Sequence, residues 1–332
     1  MADIAQKLGI SVVSVSKGLS GKEGVSDKMR KRILDTAREM GYEFPGNAAS
    51  FMNGKKTIGV LVEEHFLAEE KSYDKDTFYF SLYKELLTGG ASMGCTILME
   101  IITPEMIRDS RMPTAVSVHS VDALIFLGEL SREYMRMVIG TGIPYVFLDF
   151  YDDDYPACCI LSDNIHGGYK MTRYLMDAGL KNIGFVGSVR ATSSIMDRYI
   201  GYTKALMQEN IHPRKDWLLE DRGPDGHFLD LRLPDEMPEA FVCSSDEIAF
   251  HLTEKLTRAG YRVPEDISVT GYDDYRYAEL CAPPLTTYRV NIKGMACKAL
   301  SVLRDRMERR DGEPYSIVIP GEDVVRSSIR KA

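Results

Sequence analysis

The chain has 332 residues, of which 44% are hydrophobic and 27% are charged, and its formal net charge is −8. This length predicts two or three domains, and the composition excludes a disordered chain or a fibrous repeat. The negative net charge at first argues against nucleic acid, but the charge is unevenly divided. Residues 1–56 hold ten Lys and Arg against six Asp and Glu, a net +4, whereas the other 276 residues hold 31 against 43, a net −12. A basic head on an acidic body predicts that only the head contacts a polyanion.

The chain carries no pattern typical of secretion or of a membrane span. MADIAQKLGI, its first ten residues, lacks the apolar core and cleavage site of a signal peptide, and no run of about 18 apolar residues exists. The six cysteines show no CxxC spacing, and most lie in apolar, strand-like runs. We therefore expect buried reduced thiols, no membrane contact and a cytoplasmic location.

The first 44 residues predict an all-α head of three short helices. Gly9 ends the first helix, and Ser11 and Ser26 are suited to cap the second and third helices. Two helices joined by a tight glycine turn are typical of a helix-turn-helix, whose second helix lies in the major groove of DNA. The alternative is an ordinary three-helix domain without a role in DNA binding.

The second predicted helix supplies side chains of the kinds that read DNA. Valine contacts thymine methyl groups, and lysine donates to guanine or phosphate. The positions expected to face bases and phosphates are Val12, Val13, Ser14 and Lys17.

The rest of the chain alternates between strand-like and helix-like patterns. One series begins with TIGVLVE (57–63) and ends with PYVFLDF (144–150), and a second begins with CCILSDN (158–164) and ends with DISVTGYDD (266–274). Continuous apolar strands separated by amphipathic helices predict parallel sheets that are covered on both faces. Two such series predict two doubly wound α/β lobes, with a ligand cleft at the carboxyl ends of the strands.

The usual catalytic and cofactor motifs are missing from the body. It has no P-loop, no GxSxG elbow and no HExxH, Gly140-Thr-Gly142 lacks the third glycine of a dinucleotide site, and the six histidines are scattered. We therefore predict a binding body without enzyme activity, cofactor or metal. An acid–base pair among the carboxylates at the strand ends is the alternative.

The head resembles the DNA-binding domain of the lactose repressor–galactose repressor family. DIAQKLGISVVSVSKGLSGKEGVSDKMRKRILDTAREMGY (3–42) follows the family pattern DIA-x3-G-V-S-x2-TVSRVLN and then VS-x2-TR-x-RI-x3-A-x2-LGY. The resemblance implies that Val12 and Val13 read bases, and that Ser11, Ser14 and Lys17 contact bases or the backbone. Lys17 stands where Arg is usual, which replaces a bidentate guanine contact by a point charge.

Residues 45–56, PGNAASFMNGKK, have the composition of a linker. The resemblance implies that this segment is a hinge, which becomes helical on DNA and wedges an apolar side chain into the minor groove. Met52 occupies the position of that wedge. The alternative is a tether that inserts no side chain.

The resemblance continues through the body, includes periplasmic sugar-binding relatives and covers nearly the whole chain. The matching motifs are ILSDNIHGGY (160–169), DRYIGYTKAL (197–206), FVCSSDEIA (241–249) and, most strongly, VPEDISVTGYDD (263–274). They imply a periplasmic-binding-protein-like core over residues 57–332. Its expected N-lobe comprises residues 57–157 and 290–318, and its expected C-lobe comprises residues 158–289 and 319–332.

The same motifs and strand ends supply the predicted effector-binding residues. Arg198 is suited to donate to vicinal hydroxyls or a carboxylate, and Asp149 and Asp273 are suited to accept hydroxyl hydrogens at strand ends. By resemblance, Tyr79 takes an aromatic position that stacks on a ligand ring, and Ser245 stands where Asn is common.

These features together predict a homodimeric transcription regulator, a repressor, with no catalytic residues. Its heads are expected to bind a near-palindromic DNA operator, because two half-sites require two-fold symmetry. Its body is expected to bind a small effector, with a carbohydrate as the first candidate. The alternatives are a solute-binding protein without a DNA function and an enzyme that uses the cleft.

Overall fold

The structure, a computed structural model, describes residues 2–19, 25, 26, 29, 32, 33, 36, 56–67, 77–223, 226–308 and 313–331. Residues 45–55 of the predicted hinge, Met52 among them, lie outside this set. None of the helices in the described ranges is long and apolar enough to cross a bilayer.

The head begins with two helices joined by a tight turn. α1 (Ala2–Leu8) ends at Gly9, whose φ of +66° lets the amide of Ile10 donate to the carbonyl of Ala5 over 3.1 Å. Ser11 caps α2 (Val12–Leu19), since its Oγ accepts from the Ser14 amide at 3.0 Å. The predicted cap and turn are therefore confirmed.

A small apolar cluster holds the described part of the head together. α1 and α2 contribute Ile4, Ala5 and Val15, and Ile33 packs on them from the region of the predicted third helix. The Met29 amide donates to Ser26 Oγ at 3.4 Å, which places the predicted cap at the start of that region.

The N-lobe is built on a six-stranded parallel sheet. The order of the strands across it is β2-β1-β3-β4-β5-β11. Their bounds are Thr57–Glu63 (β1), Thr96–Ile102 (β2), Ala123–Leu127 (β3), Tyr145–Leu148 (β4), Cys158–Ser162 (β5) and Ser316–Ile319 (β11).

Helices cover both faces of this sheet, as its continuous apolar strands require. α3 (Phe78–Ser92) and α11 (Ile292–Glu308) pack on one face, and α6 (Arg132–Ile139) packs on the other. Two short helices, α4 (Pro104–Arg108) and α5 (Thr114–Ser117), connect β2 to β3.

The C-lobe is built on a four-stranded parallel sheet in the order β7-β6-β8-β9. The strands are Ile183–Val186 (β6), Leu218–Leu219 (β7), Ala240–Cys243 (β8) and Ser268–Thr270 (β9). α7 (Asn164–Asp177) and α8 (Ser193–Gln208) cover one face, and α9 (Asp246–Arg258) covers the other. α10 (Arg276–Leu280) follows β9. Two doubly wound lobes are therefore present, as predicted.

Within the described ranges of the body, the chain crosses between the lobes three times. The first crossover follows β5, so the predicted change of lobe at residue 158 is wrong: β5 pairs with β4 on one side and β11 on the other. The other two crossovers lie beside a small antiparallel ribbon of β10 (Thr287–Arg289) and β12 (Glu322–Val324).

All six cysteines are free, and five of them are buried. Cys297, on α11, is the exposed one. The expectation of buried reduced thiols therefore holds for five of the six positions.

Candidate functional site

A cavity of about 120 Å³ lies between the lobes, where the carboxyl ends of both sheets meet. In each sheet the first strand of the lobe lies between the second and the third, and such a switch point is where ligands bind in α/β folds. The structure brings together all five residues predicted to bind an effector, and each of them lines this cavity: Tyr79, Asp149, Arg198, Ser245 and Asp273.

Arg198 is a buried arginine, 6% exposed, at the floor of the cavity. Its Nε donates to Asn164 Oδ1 at 2.8 Å, its Nη1 donates to the carbonyl of Ser244, and its guanidinium carbon lies 3.8 Å from the centre of the Tyr272 ring. Its Nη2 lies 3.5 Å from Asp273 Oδ1. The surrounding residues thus fix the plane of the guanidinium where it lines the cavity.

Glycines bring α8, which carries Arg198, against α7. A Cβ on Gly168 would overlap the carbonyl oxygen of Arg198, and one on Gly201 would overlap that of Ile165. These close backbone approaches explain why both helices carry glycine at the crossing. They set the depth at which Arg198 enters the cavity.

Asp149 and Asp273 approach Arg198 from opposite lobes. Each follows a strand and adopts a left-handed backbone, with φ of +71° and +108°, which non-glycine residues rarely do. Asp149 Oδ1 and Asp273 Oδ1 are buried without a hydrogen-bond partner. The pair therefore presents acceptor oxygens in the region of the cavity.

Burial dominates the titration of both carboxyls. It raises the pKa of Asp149 to about 6, although the charge of Arg198 and the hydroxyl of Tyr79 act in the opposite direction. It raises the pKa of Asp273 to about 7, where Arg198 again opposes and the charge of Asp149 reinforces the shift. A ligand that donates hydrogen bonds to these oxygens would favour their ionised forms.

Tyr79 forms the N-lobe wall of the cavity. Its hydroxyl donates to Asp149 Oδ2 at 3.1 Å, and its ring lies 4.6 Å from that of Phe66, tilted by 49°. Burial and the neighbouring Asp149 carboxylate raise the pKa of Tyr79 well above its usual value, so it remains a hydrogen-bond donor. Tyr79 therefore holds the Asp149 carboxylate through a hydrogen bond, and its stacking on a ligand ring stays a prediction.

Ser245 has a helix-capping role in addition to its place at the cavity. Its Oγ accepts from the Ile248 amide at 3.3 Å and so caps α9. Asp163, which was not among the predicted effector-binding residues, caps α7 in the same way, since its Oδ1 accepts from the His166 amide at 3.3 Å.

Several lining residues escaped prediction from the sequence. His65 and Phe66 lie two and three residues after the end of β1, so the rule that ligands bind at strand ends could have found them. Arg222 and Phe228 lie in an irregular segment with no pattern that marks a site. Arg222 is held by the buried carboxylate of Asp221 at 2.8 Å.

Of the residues predicted to contact DNA, the five that the structure describes lie on α2 and at its cap, away from the small core of the head. Val12 and Val13 are 49% and 63% exposed, whereas Val15 is buried. Ser11 and Lys17 are exposed and Ser14 is half-buried. Large apolar side chains exposed side by side on a helix indicate a contact surface.

Metal ligation has no support among the side chains that the structure describes. No group of three or more His, Cys, Asp and Glu residues in these ranges is placed to hold an ion.

Two family models match the chain, one for each part. Residues 1–43 match the model "Bacterial regulatory proteins, lacI family", and residues 172–329 match a periplasmic binding protein-like domain. Among curated proteins, the chain is 28% identical to the HTH-type transcriptional repressor PurR of Actinobacillus pleuropneumoniae serotype 3 (strain JL03). That alignment covers 99% of this chain and 97% of the relative. It is also 28% identical to PurR of Vibrio campbellii, over 99% of this chain and 98% of the relative.

Solved structures share the fold over nearly the full length. The transcriptional regulator CelR in complex with cellobiose superposes with a TM-score of 0.69 at 22% identity, covering 98% of each chain. The Lac repressor dimer bound to operator and the anti-inducer ONPF superposes with a TM-score of 0.65 at 20% identity, covering 98% of this chain and 97% of that one.

Proposed function

We propose that this chain, which belongs to the LacI family of bacterial regulatory proteins, senses a small carbohydrate in the cavity between its lobes. It is a DNA-binding transcriptional repressor under the control of a small effector. Full-length similarity to repressors favours this role over a solute-binding protein without a DNA function.

The observation that carries the carbohydrate proposal is the pairing of Arg198 with Asp149 and Asp273. When ionised, the carboxylates accept hydrogen bonds but do not donate them, whereas the guanidinium donates hydrogen bonds but does not accept them. A ligand that satisfies both kinds of group in one small space carries groups that donate and accept, as sugar hydroxyls do. The rings of Phe66 and Tyr79 supply an apolar wall for the C–H face of such a ring.

The size of the cavity points to a small effector. At about 120 Å³ it is well below the roughly 300–1,000 Å³ typical of sites for drug-sized ligands. We therefore propose an effector of about the size of a monosaccharide.

The heads are proposed to bind DNA through α2, with Val12 and Val13 at base edges and Lys17 at a guanine or phosphate. A dimer places two such helices in successive major grooves, about 34 Å apart, so the operator is expected to be nearly palindromic. The net −12 of the body disfavours other contacts with DNA, which leaves the heads to set the orientation. We propose that the protein acts in the cytoplasm, together with its DNA target.

Exposed apolar side chains at one edge of the N-lobe support the proposed homodimer. β2 is an edge strand, and Leu98 and Ile101 on it are each 42% exposed. Leu87, on the adjoining helix α3, is 39% exposed. Long exposed edge strands with apolar side chains are normally covered, and we propose that a second copy of the chain covers this one.

Effector binding is proposed to act by a shift of population between two arrangements of the lobes. A ligand that contacts both Asp149 and Arg198 stabilises the arrangement in which the lobes are close. Effector and operator then change each other's affinity by the same factor.

A thermal-shift screen of the full chain against monosaccharides, disaccharides and nucleobases tests the effector proposal. A monosaccharide that binds the native state raises the melting temperature of the wild type. It has no effect on Asp273→Asn if that carboxylate accepts its hydroxyls. A shift with nucleobases alone would contradict the carbohydrate proposal.

A further inference from the structure

The first two turns of α8 present two different faces to their surroundings. Ser194, Ile195 and Arg198 line the cavity. Ser193 and Asp197, which are four residues apart and therefore share one side of the helix, contact the N-lobe instead. One short segment thus belongs both to the effector site and to a contact between the lobes.

Two N-lobe residues make this contact through three hydrogen bonds. The Ser193 amide donates to Glu129 Oε2 at 3.2 Å, and Ser193 Oγ accepts from the Tyr151 amide at 3.3 Å. The Tyr151 hydroxyl donates to Asp197 Oδ1 at 3.0 Å. Glu129 and Tyr151 follow β3 and β4, at the edge of the sheet that also carries Asp149.

The electrostatics of Glu129 suit the start of a helix. The first amides of a helix lack partners inside it, and the dipole favours a carboxylate there. Thr192 Oγ1 accepts from the Ile195 amide at 3.2 Å, and Glu129 accepts from the Ser193 amide. Burial raises the pKa of Glu129, and the nearby charges of Asp152 and Glu63 raise it further. The hydrogen bond from the Ser193 amide and the charge of Arg132 lower it. Glu129 therefore meets favourable groups on α8 and unfavourable carboxylates in its own lobe.

We propose that Glu129 and Tyr151 are positioning residues that dock the effector-binding end of α8 onto the N-lobe. We call the contact of these two residues with Ser193 and Asp197 the lobe clasp. None of the four is among the residues that line the cavity. The lobe clasp acts on effector affinity by holding Arg198 opposite Asp149, since separating the lobes at this point breaks all three hydrogen bonds. The influence of the lobe clasp on effector binding rests on the proposed function, whereas its three hydrogen bonds do not depend on that function.

Hydrogen exchange of the full-length, effector-free protein tests the lobe clasp directly. The Ser193 amide is at the first position of α8 and has no intrahelical acceptor, so its protection reports the bond to Glu129. We expect Tyr151→Phe to speed exchange at Ser193 about 5- to 10-fold, the effect of losing one ordinary hydrogen bond. Tyr155→Phe is the matched control, because the Tyr155 hydroxyl donates to the carbonyl of Arg132 inside the N-lobe.

A double-mutant cycle separates a direct bond from a general loss of stability. If Tyr151 acts through Asp197, then Tyr151→Phe has no further effect on exchange in an Asp197→Ala background. Unchanged exchange in Tyr151→Phe, an equal change in Tyr155→Phe, or additive effects in the cycle would each overturn the proposal. Because no effector is used, failure of the carbohydrate proposal leaves this result interpretable.

Discussion

The guanidinium of Arg198 stacks on the ring of Tyr272, with 3.8 Å between its central carbon and the ring centre. Tyr272 is itself buried and shares a hydrogen bond of 3.2 Å with Ser162, a residue of β5 just before the first crossover. Arg198 is therefore positioned by contacts within the protein, with Tyr272 directly and with β5 through Tyr272. A site ordered in advance loses less conformational entropy on binding.

Replacing Arg198 should affect ligand binding and stability in different proportions. Arg198→Lys keeps the charge but loses the planar fork, so we expect at least a 10-fold loss of affinity for any sugar found in the screen. Arg198→Ala leaves Asn164 and Asp273 without their partner and should cost about 3–5 kcal/mol of folding free energy. Calorimetric titration and urea unfolding measure the two effects.

Arg214→Ala is the control for these variants. Arg214 also stacks on an aromatic ring, that of Trp217 at 4.2 Å, but it is exposed and lies outside the cavity. A sugar affinity that falls equally in Arg214→Ala and Arg198→Lys would remove Arg198 from its proposed role.

Lys17→Ala should weaken operator binding without changing ligand binding. If Lys17 contacts a phosphate in each half-site, its loss from both subunits lowers the magnitude of the slope of log K against log salt by about two and weakens binding to all sequences alike. Fluorescence anisotropy between 50 and 200 mM salt measures this slope. Lys204→Ala, an exposed lysine on the C-lobe, should leave it unchanged. An unaltered slope in Lys17→Ala would show that this lysine does not contact DNA.

The raised pKa of Asp273, about 7, predicts a dependence of stability on pH. In the unfolded chain this carboxyl ionises near its ordinary value of 3.8, so between about pH 4 and 7 the native state binds more protons. Stability therefore falls as the pH rises through this window and levels off above pH 7. Asp273→Asn should make the decline shallower by up to about 1.4 kcal/mol per pH unit.

Denaturant unfolding of the effector-free protein at half-unit steps from pH 5 to 8 checks this prediction. Asp149→Asn should also make the decline of stability with pH shallower, but only up to about pH 6, because the pKa of Asp149 is raised to about 6. Parallel pH profiles for the wild type and Asp273→Asn would contradict the burial of an ionisable group at this position.

Gly201→Ala should disturb the site from outside the cavity. The added methyl would overlap the Ile165 carbonyl and lie 2.7 Å from the Tyr169 amide, so α7 and α8 must separate. We expect a loss of about 1–3 kcal/mol in stability together with weaker sugar binding. Gly140→Ala, whose methyl would have its nearest neighbours at 3.3 Å, is the milder comparison in the other lobe. Full stability and affinity in Gly201→Ala would refute the close approach.

Strong local patterns made most of the fold predictable. The predicted strand over residues 57–63 matches β1 at both ends, because its continuous apolar, β-branched run leaves few alternatives. The first crossover was misplaced because CCILSDN is an ordinary buried strand, and nothing local tells which sheet it joins. The short strands β7, β10 and β12 depend on partners distant in the sequence, so their own residues do not mark them.

The cavity was predictable where a family motif or a strand end marked it. Arg198 and Asp273 lie in the clearest motifs, and both line the cavity. Arg222 is placed by the buried Asp221, and the lobe clasp joins residues 129 and 151 to residues 193 and 197 across two lobes. Such contacts arise from tertiary packing alone, and no spacing in one sequence encodes them.

The most direct test of the regulator is a selection of DNA from a randomised duplex library by the full chain, followed by titration of the selected sequence over a salt series. We predict a consensus with two-fold symmetry, a log affinity that falls steeply and linearly with log salt, and a change in affinity when a monosaccharide identified by thermal shift is added. Failure to enrich a symmetric sequence, or an affinity indifferent to salt, would contradict the account.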